Sequence, residues 1–422
     1  MPAEQPHSGD PHGSNSVRQA NLAKILHFVH HRGPLSRADL TRATGLNRST
    51  VGALLRALSD RGLVVMGEPA RDQGVGRPSP LTHPAPDLLA VTVYPDADAV
   101  EVAAVGLGGR VIERIRRTVA AAPTPEDTVA LTVSTLEQDL QHRLRDATVL
   151  GIGVAVPGLV RSTDGFVHMA PHLPWRNVPI AQLMAAGTGL ATMVGNDAAV
   201  GADAEGIFGV GKGGARPLVY LHGGFGGIGS GLQLTATGFP PEAEGLEAAS
   251  YLPELGHVLV NSAGRPCHCG ASGCLETEVS FERLRAAMAD LIPEPAELEP
   301  ADLPVPMEHL EGPALKEVER QLEFLAVGIR NAVNAFAPEL IVFGGFLGPL
   351  LELGGQAFLS RVRAQLMPPL ASVQLRRANM GARRIHVGAA EQVFRPLLHN
   401  PLAAPAALAA PGALAGSGTE AG

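Results

Sequence analysis

The chain has 422 residues, 45% hydrophobic but only 4% aromatic, so a sizeable core is available and Ala, Val and Leu must build it. No basic n-region followed by an apolar stretch opens the sequence, and no apolar run reaches the roughly 18 residues of a membrane span, so a soluble cytoplasmic protein of two or three domains is expected, without a signal peptide. The net charge of −8 would argue against nucleic acid if spread evenly, but residues 17–67 carry eight basic side chains against two acidic ones, a net of +6 that leaves −14 elsewhere: a small basic module joined to an acidic body.

Residues 1–16 are rich in Pro, Gly, Ser and His without periodicity and are expected to be a disordered tail. Leu22, Ile25, Leu26 and Val29 then form a helical stripe over 17–31, ended by Gly33-Pro34. Ser36 caps a second helix through Ala43, Gly45 makes a turn, and Asn47 caps a third helix with Val51, Leu54, Leu55 and Leu58 on its buried face. Gly62 stops it before an extended Leu63-Val64-Val65. Helices joined by a short glycine turn and followed by a strand make a winged helix-turn-helix, assigned to residues 17–70. Its third helix presents Arg48, Ser49, Thr50, Gly52 and Arg56, and with Arg37, Asn47 and Arg77 these are the candidate DNA contacts. A helical protein-docking module would share the pattern; the basic excess favours phosphate.

Residues 71–86 are dense in Pro and Gly and are assigned as a linker, the Pro/Gly-rich stretch from 67 reading as a linker or wing, stiff because of its prolines, in which Arg77 either tracks the minor groove or backbone or is an exposed linker charge. From 87 the texture changes. Strands at Leu88–Val93, Val100–Val105 and Val111–Ile115, a helix around 125–143, and strands at Val149–Val156 and Thr192–Gly195 give an α/β body. Residues 281–320 read as helices with an acidic, Pro-rich insertion at 293–313; further helices run over 315–336 and 383–398, and 399–422 is expected to be disordered.

All three cysteines of the chain fall together, at Cys267, Cys269 and Cys274. With His257 they make a Cys3His set, the ligand number of a tetrahedral structural zinc with no position left for water; His268, between two of them, is the alternative nitrogen. A disulfide would leave one thiol over. Glu254 and Glu276 flank the ligands, and carboxylates pinned beside a metal are good acceptors for hydroxyl groups.

The run Glu254, Gly256, His257, Cys267, Cys269, Gly270, Gly273, Cys274 and Glu276 resembles the zinc signature of the ROK family of sugar kinases and sugar-responsive repressors. Gly74-Val75-Gly76-Arg77-Pro78 is similar to the segment joining the two parts of ROK repressors. The resemblance implies a two-lobed actin-like (ribonuclease H-like) fold, with a first lobe of 87–195 plus 381–398 and a second of 196–380. It also implies a sugar site. Asn196-Asp197-Ala198 looks like the family's sugar motif, with Asp197 at the place of the kinase base, and Gly158 and His172 lie in segments similar to its sugar-contact loops. With Glu254, His257 and Glu276 this set suits a neutral polyol, a monosaccharide or a derivative of one. Trp175 is either a sugar-stacking ring or the anchor of its loop.

Kinases of the family carry an Asp-x-Gly-Gly-Thr turn after the first strand. Here that turn is Tyr94-Pro95-Asp96-Ala97-Asp98, bulky, acidic and without glycine, so it should not hold a triphosphate. The run Gly223 to Gly231 resembles the second phosphate loop, with Gly226 where Thr is common, but such a run is as readily a tight hairpin. The expectation is therefore a non-enzymatic, sugar-responsive regulator, a repressor that binds operator DNA as a homodimer or homotetramer because one helix-turn-helix reads a half-site. A sugar kinase with a DNA-binding arm is the alternative, and a regulator answering to a protein partner is another.

Overall fold

The computed structural model describes residues 11–69, 80–214, 217–234, 253–289 and 310–402. The N-terminal module forms as its caps dictate. Helix α1 (Pro11–Arg32) buries Leu22, Ile25, Leu26 and Val29 completely. Strand β1 (Leu35–Ser36) leads into α2 (Arg37–Thr44), where Ser36 and Asp39 close a reciprocal capping box and Gly45, at φ 74°, terminates the helix. The Asn47 side chain accepts from the Thr50 N–H at 2.8 Å and starts α3 (Arg48–Ser59). Strands β2 (Val64–Pro69) and β3 (Pro80–Pro84) complete a three-stranded antiparallel wing of order β1-β3-β2.

Two boundaries differ from expectation. Helix α1 begins at Pro11, not after a disordered 1–16, because Pro is tolerated in the first turn and the packed residues downstream support the helix. Residues 80–84 are not linker: the prolines that suggest one stand at the two ends of β3, where a missing N–H costs least, and Leu81, Thr82 and His83 lie between them in the ladder. Arg77, residues 1–10, most of the insertion at 293–313 and the tail beyond 402 lie outside the described residues.

The body is two sheets. The first contains β4 (Leu88–Pro95), β5 (Ala99–Gly106), β6 (Arg110–Thr118), β7 (Thr148–Val156) and β11 (Thr192–Asn196) in the order β11-β7-β4-β5-β6, with α4 (Pro125–Gln138), α5 (Gln141–Leu144), a small hairpin layer of β8 (Leu159–Arg161), β9 (Phe166–Ala170) and β10 (Trp175–Val178), and α6 (Ile180–Thr188). Trp175 is buried in this lobe's core and donates its indole N–H to the Pro123 carbonyl, so it anchors its loop. After α7 (Asp197–Ile207), the second sheet contains β12 (Leu218–Gly224), β13 (Gly227–Gln233), β14 (Leu340–Gly345) and β15 (Gln374–Arg377) in the order β13-β12-β14-β15. Short helices α8 (Leu275–Glu278) and α9 (Phe281–Ala287), then α10 (Gly312–Phe336) and α11 (Leu347–Ala364), cover it, and α12 (Arg383–His399) returns to the first sheet.

Helix α12 lies on β4, β7 and β11, helix α7 lies on β12 and β13, and the two helices pack on each other. The N-terminal winged module is not tethered at a distance. One apolar cluster runs from Leu22, Ile25, Leu26 and Leu58 through Leu88, Val105 and Leu150 to Phe394 and Leu398, so the module and the first lobe share a core. At its polar edge the Gly108 N–H donates to His30 Nδ1 at 2.8 Å, which leaves His30 Nε2 to donate to Glu391 Oε1 on α12 at 2.7 Å.

Two further histidines of α1 sit at this seam. Burial, helped by His31 and His30, pushes His27 down to about 2. Burial also lowers His31 against the pull of Glu391, with Lys212 nearby adding to the lowering and His399 acting likewise on His27. Groups depressed below the unfolded value of about 6.5 contribute stability above that pH and lose it as pH falls. The thermal midpoint should therefore drop between about pH 7.5 and about pH 5.5, and drop less in His27→Leu; calorimetry showing equal losses in both proteins would remove His27 from the account.

Candidate functional site

The cleft is organised by the start of α7. Asn196 is its N-cap: Oδ1 accepts from the Ala199 N–H and Nδ2 donates to the Gly158 carbonyl, both at 3.0 Å. Both ends of the amide are thus engaged in fixing the helix against the Pro157-Gly158 turn, and Gly158 is there because a Cβ would strike the Met169 carbonyl and Ala170. Asp197 follows as the first helical residue, its Oδ1 taking the Ala198 N–H at 2.8 Å. Burial pushes Asp197 up to about 6, with Asp96 adding and Arg384 opposing. Glu254, at the lip of the cleft and reachable by solvent, is nevertheless crowded by its walls and, with Asp197 and Glu276 near, is pushed up to about 7. Asp197 and Glu276 thus both act electrostatically on Glu254.

His172 stands differently. Its Nε2 bonds the Gly226 carbonyl at 2.9 Å, tying the Pro171–Pro174 loop of the first lobe to the hairpin of the second. That hairpin is the glycine run 223–231: β12 and β13 pair in register with Gly224 opposite Gly227, and Phe225-Gly226 makes a two-residue turn. The first turn, after β4, turns its donors inward: the Asp96 N–H donates to the Ala99 carbonyl at 2.8 Å and the Ala97 N–H to Asp96 Oδ1 at 2.7 Å. Burial raises Asp96 and holds the Tyr94 phenol well above its ordinary value, with Asp197 adding to the latter. On the second sheet Tyr220 and His222 project to the Gly344-Gly345 turn, leaving no room there for a Cβ. Arg384 Nη2 bonds His222 Nε2 at 2.8 Å. Sequence reasoning misses His222 and Arg384. Neither sits in a motif, and only the fold brings α12 to the end of β12.

The cysteine loop forms a compact group. The donor atoms of His257, Cys267, Cys269 and Cys274 all lie within 4.8 Å of one another. Cys267 Sγ is 3.5 Å from His257 Nδ1 and Cys269 Sγ is 3.7 Å from Cys274 Sγ. A tetrahedral zinc with Zn–S of about 2.3 Å and Zn–N of about 2.1 Å requires edges of about 3.8 and about 3.6 Å, so the residues fit. Burial pushes the Cys267 and Cys274 thiols up, the direction a bound cation would reverse. Glu276 Oε1 lies 3.0 Å from Cys267 Sγ and 3.1 Å from His268 Nδ1, so His268 meets the acid more closely than His257 Nδ1 does, at 3.4 Å. The loop is held from behind: buried Glu278 takes the Arg265 backbone N–H and guanidinium and Arg320 of α10. His257 ends a single 3-10 turn (Leu255–His257) capped by Glu254, which places that acid three residues before His257.

On α3 the exposed positions are Arg48, Ser49, Ala53, Arg56 and Ser59. Gly52, expected on that face, is covered: the Arg37 guanidinium lies 3.5 Å from where its Cβ would be. Arg37 thus rides on the helix over Gly52, and Ser49 donates to Asn47, which keeps Asn47 at the cap.

A winged module fused to a two-sheet body of this kind defines a class, and comparison with known proteins bears it out. Residues 96–394 match the model of the ROK family and residues 23–77 that of the MarR family. The chain belongs to the ROK family. It is 26% identical over 361 residues to the xylose repressor of Caldicellulosiruptor bescii, covering 82% of this chain and 87% of that protein. Among solved structures, a ROK family transcriptional regulator that is a homologue of the Escherichia coli MLC protein superposes with a TM-score of 0.68 at 23% identity, over 91% of this chain and 97% of that one. A ROK hexokinase from Thermus thermophilus gives 0.55 at 23% identity, over 73% and 99%. These two likenesses show the fold.

If Arg384 holds Asp197 down, Arg384→Met should move the Asp197 titration above about 6. Carboxyl NMR of Asp-labelled protein reads this directly, and an unmoved titration would separate the two residues.

Proposed function

We propose that this protein is a sugar-responsive transcriptional repressor of the cytoplasm. The winged module binds operator DNA, the cleft takes a neutral monosaccharide or derivative, and a structural zinc holds the loop that shapes the cleft. The observation that carries this reading is a basic winged module sharing its core with a ROK body whose cleft keeps its acids while its phosphate turn is closed. Asp197, Glu254 and Glu276 accept hydroxyl groups, and Asn196 and Gly158 place them. Asp197 and Glu254, both raised toward neutrality, are poor partners for cations and good ones for neutral hydroxyls. His172 contributes by closing the cleft over the ligand through Gly226.

Transfer of phosphate is not part of the reading. It needs a backbone cradle with free N–H groups at both turns and a metal on the phosphates. Here the first turn bonds to itself around Asp96, and a glycine replaces the hydroxyl residue of the second at Gly226. Among the relatives a protein named a repressor matches over 87% of its own length.

DNA contact falls to Arg48, Ser49, Thr50 and Arg56 at the exposed start and face of α3, with Arg37 and Asn47 beside them and Arg77 in the wing connection. One module reads one half-site, so the protein acts as a homodimer or homotetramer on a palindrome. Fluorescence anisotropy on DNA from upstream of its own gene should show tight, salt-sensitive binding that one sugar of a panel beginning with D-xylose weakens. Arg48→Ala should weaken it on the order of tenfold, the scale of one good contact. Undiminished binding in every sugar would remove the effector half of the reading; ATP turnover on the same sugars would remove the other.

One Zn2+ per chain should copurify, and Cys274→Ser should lose it and lower the thermal midpoint. A fully stable, zinc-free wild type by elemental analysis and calorimetry would refute the metal.

A further inference from the structure

Helix α12 reaches both the cleft and the DNA-binding module. Near its start, Arg384 meets His222 at the cleft end of the second sheet. One turn on, Gly388 lies against the Val200 carbonyl of α7, so closely that any Cβ would overlap it. Arg395 bonds Asp203, again on α7, at 3.1 Å. Between these, Glu391 leaves the body altogether and takes His30 of α1 at 2.7 Å, with His31 at 3.8 Å. Positions 384, 388, 391 and 395 recur every three or four residues, so they share one side of a single helix. Glu391 is 4% exposed, and a carboxylate enclosed to that degree is costly unless its partner stays in place. Helix α7, in turn, starts at Asn196 and Asp197 in the cleft. Movement of α7 toward α12 must displace α12, because the contact at Gly388 leaves no room, and the Arg395–Asp203 pair ties the two helices in the other direction.

We propose that Glu391 and His30 are positioning residues through which α12 passes the state of the effector cleft to the DNA-binding module. The proposal rests on the regulator reading above. The cleft end of α7 moves with the ligand, α12 follows through Gly388, and the Glu391–His30 bond turns that movement into a change in how α1 sits on the body. The bond suits this use because it is fixed from both sides: the Gly108 N–H settles which His30 nitrogen carries the proton, so the bond to Glu391 has a single geometry.

The test is hydrogen exchange on the full-length protein without added sugar, comparing wild type with Glu391→Ala, Glu391→Gln, Gly388→Ala and Asn196→Ala. Amides of α1 should exchange at least tenfold faster in Glu391→Ala, and Glu391→Gln, which retains an acceptor for His30, should recover most of that loss. Asn196→Ala, which releases the cleft end of α7 from its cap and from the Gly158 carbonyl, should also speed exchange in α1 while the β12–β14 ladder stays protected. Gly388→Ala should do the same; if it unfolds the body generally, Asn196→Ala decides alone. Unchanged α1 exchange in Glu391→Ala overturns the role of the bond. Acceleration in Glu391→Ala without any in Asn196→Ala overturns the path from the cleft. Wild-type binding to upstream DNA is measured in parallel, so failure of the regulator reading shows there and failure of the path shows in exchange.

Discussion

The close approach of α7 and α12 between the two sheets is the constraint on which the rest of this structure depends. Four layers stack, sheet, helix, helix, sheet, and each meets the next at backbone distance. Gly153 and Gly195 let α12 lie on the first sheet, Gly388 lets it meet α7, and Gly229 and Gly231 let α7 lie on the second. A side chain at any of these would meet a carbonyl, an alanine or Gln392. This explains a composition that otherwise looks poor, with 50 glycines and 4% aromatics. Large side chains would hold the layers further apart. Small ones make the stack thin and stiff, and the dispersion attraction between layers falls steeply with any gap.

That stack also sets the chemistry of the cleft. The α7 N-terminus is fixed by Asn196 and by the layers on each side, so Asp197 is held in a partly desolvated place, and its carboxyl is the less acidic for it. Glu254 and Glu276 lie on the segment that carries the cysteine group, which Glu278 braces against Arg265 and Arg320. The acids thus have supports of different kinds, a close-packed helix for Asp197 and a loop held by a buried carboxylate for Glu254 and Glu276.

How much of this is legible in the sequence varies with how local its cause is. The caps at Ser36 and Asn47 and the strands of the first sheet follow from neighbouring residues, and they stand where the sequence places them. The cysteine group is legible because three rare residues lie within eight positions. The wing strand Pro80–Pro84 reads as linker because proline density speaks for linkers unless the prolines fall at strand ends, which only pairing with β2 reveals. Helical spacing places Gly52 outward, correctly for the helix alone, but Arg37 from the preceding helix covers it. Arg384, His222, His30 and Glu391 carry no signal at all. The Arg384–His222 bond spans 162 positions and the His30–Glu391 bond 361, and neither residue pair has local chemistry to mark it.

The His30–Glu391 bond bears on how the family's architecture serves regulation. A module on a flexible linker would keep its orientation independent of the cleft, and a ligand could then alter DNA binding only by changing the oligomer. Here α1 shares Leu22, Ile25 and Leu26 with a core that includes Phe394 and Leu398 of α12, so the module's orientation belongs to the body's packing. A ligand shifts a two-state equilibrium only by its differential affinity for the two states. A shared core with a buried polar bond gives those states different energies, because moving α1 would strand a carboxylate among apolar side chains.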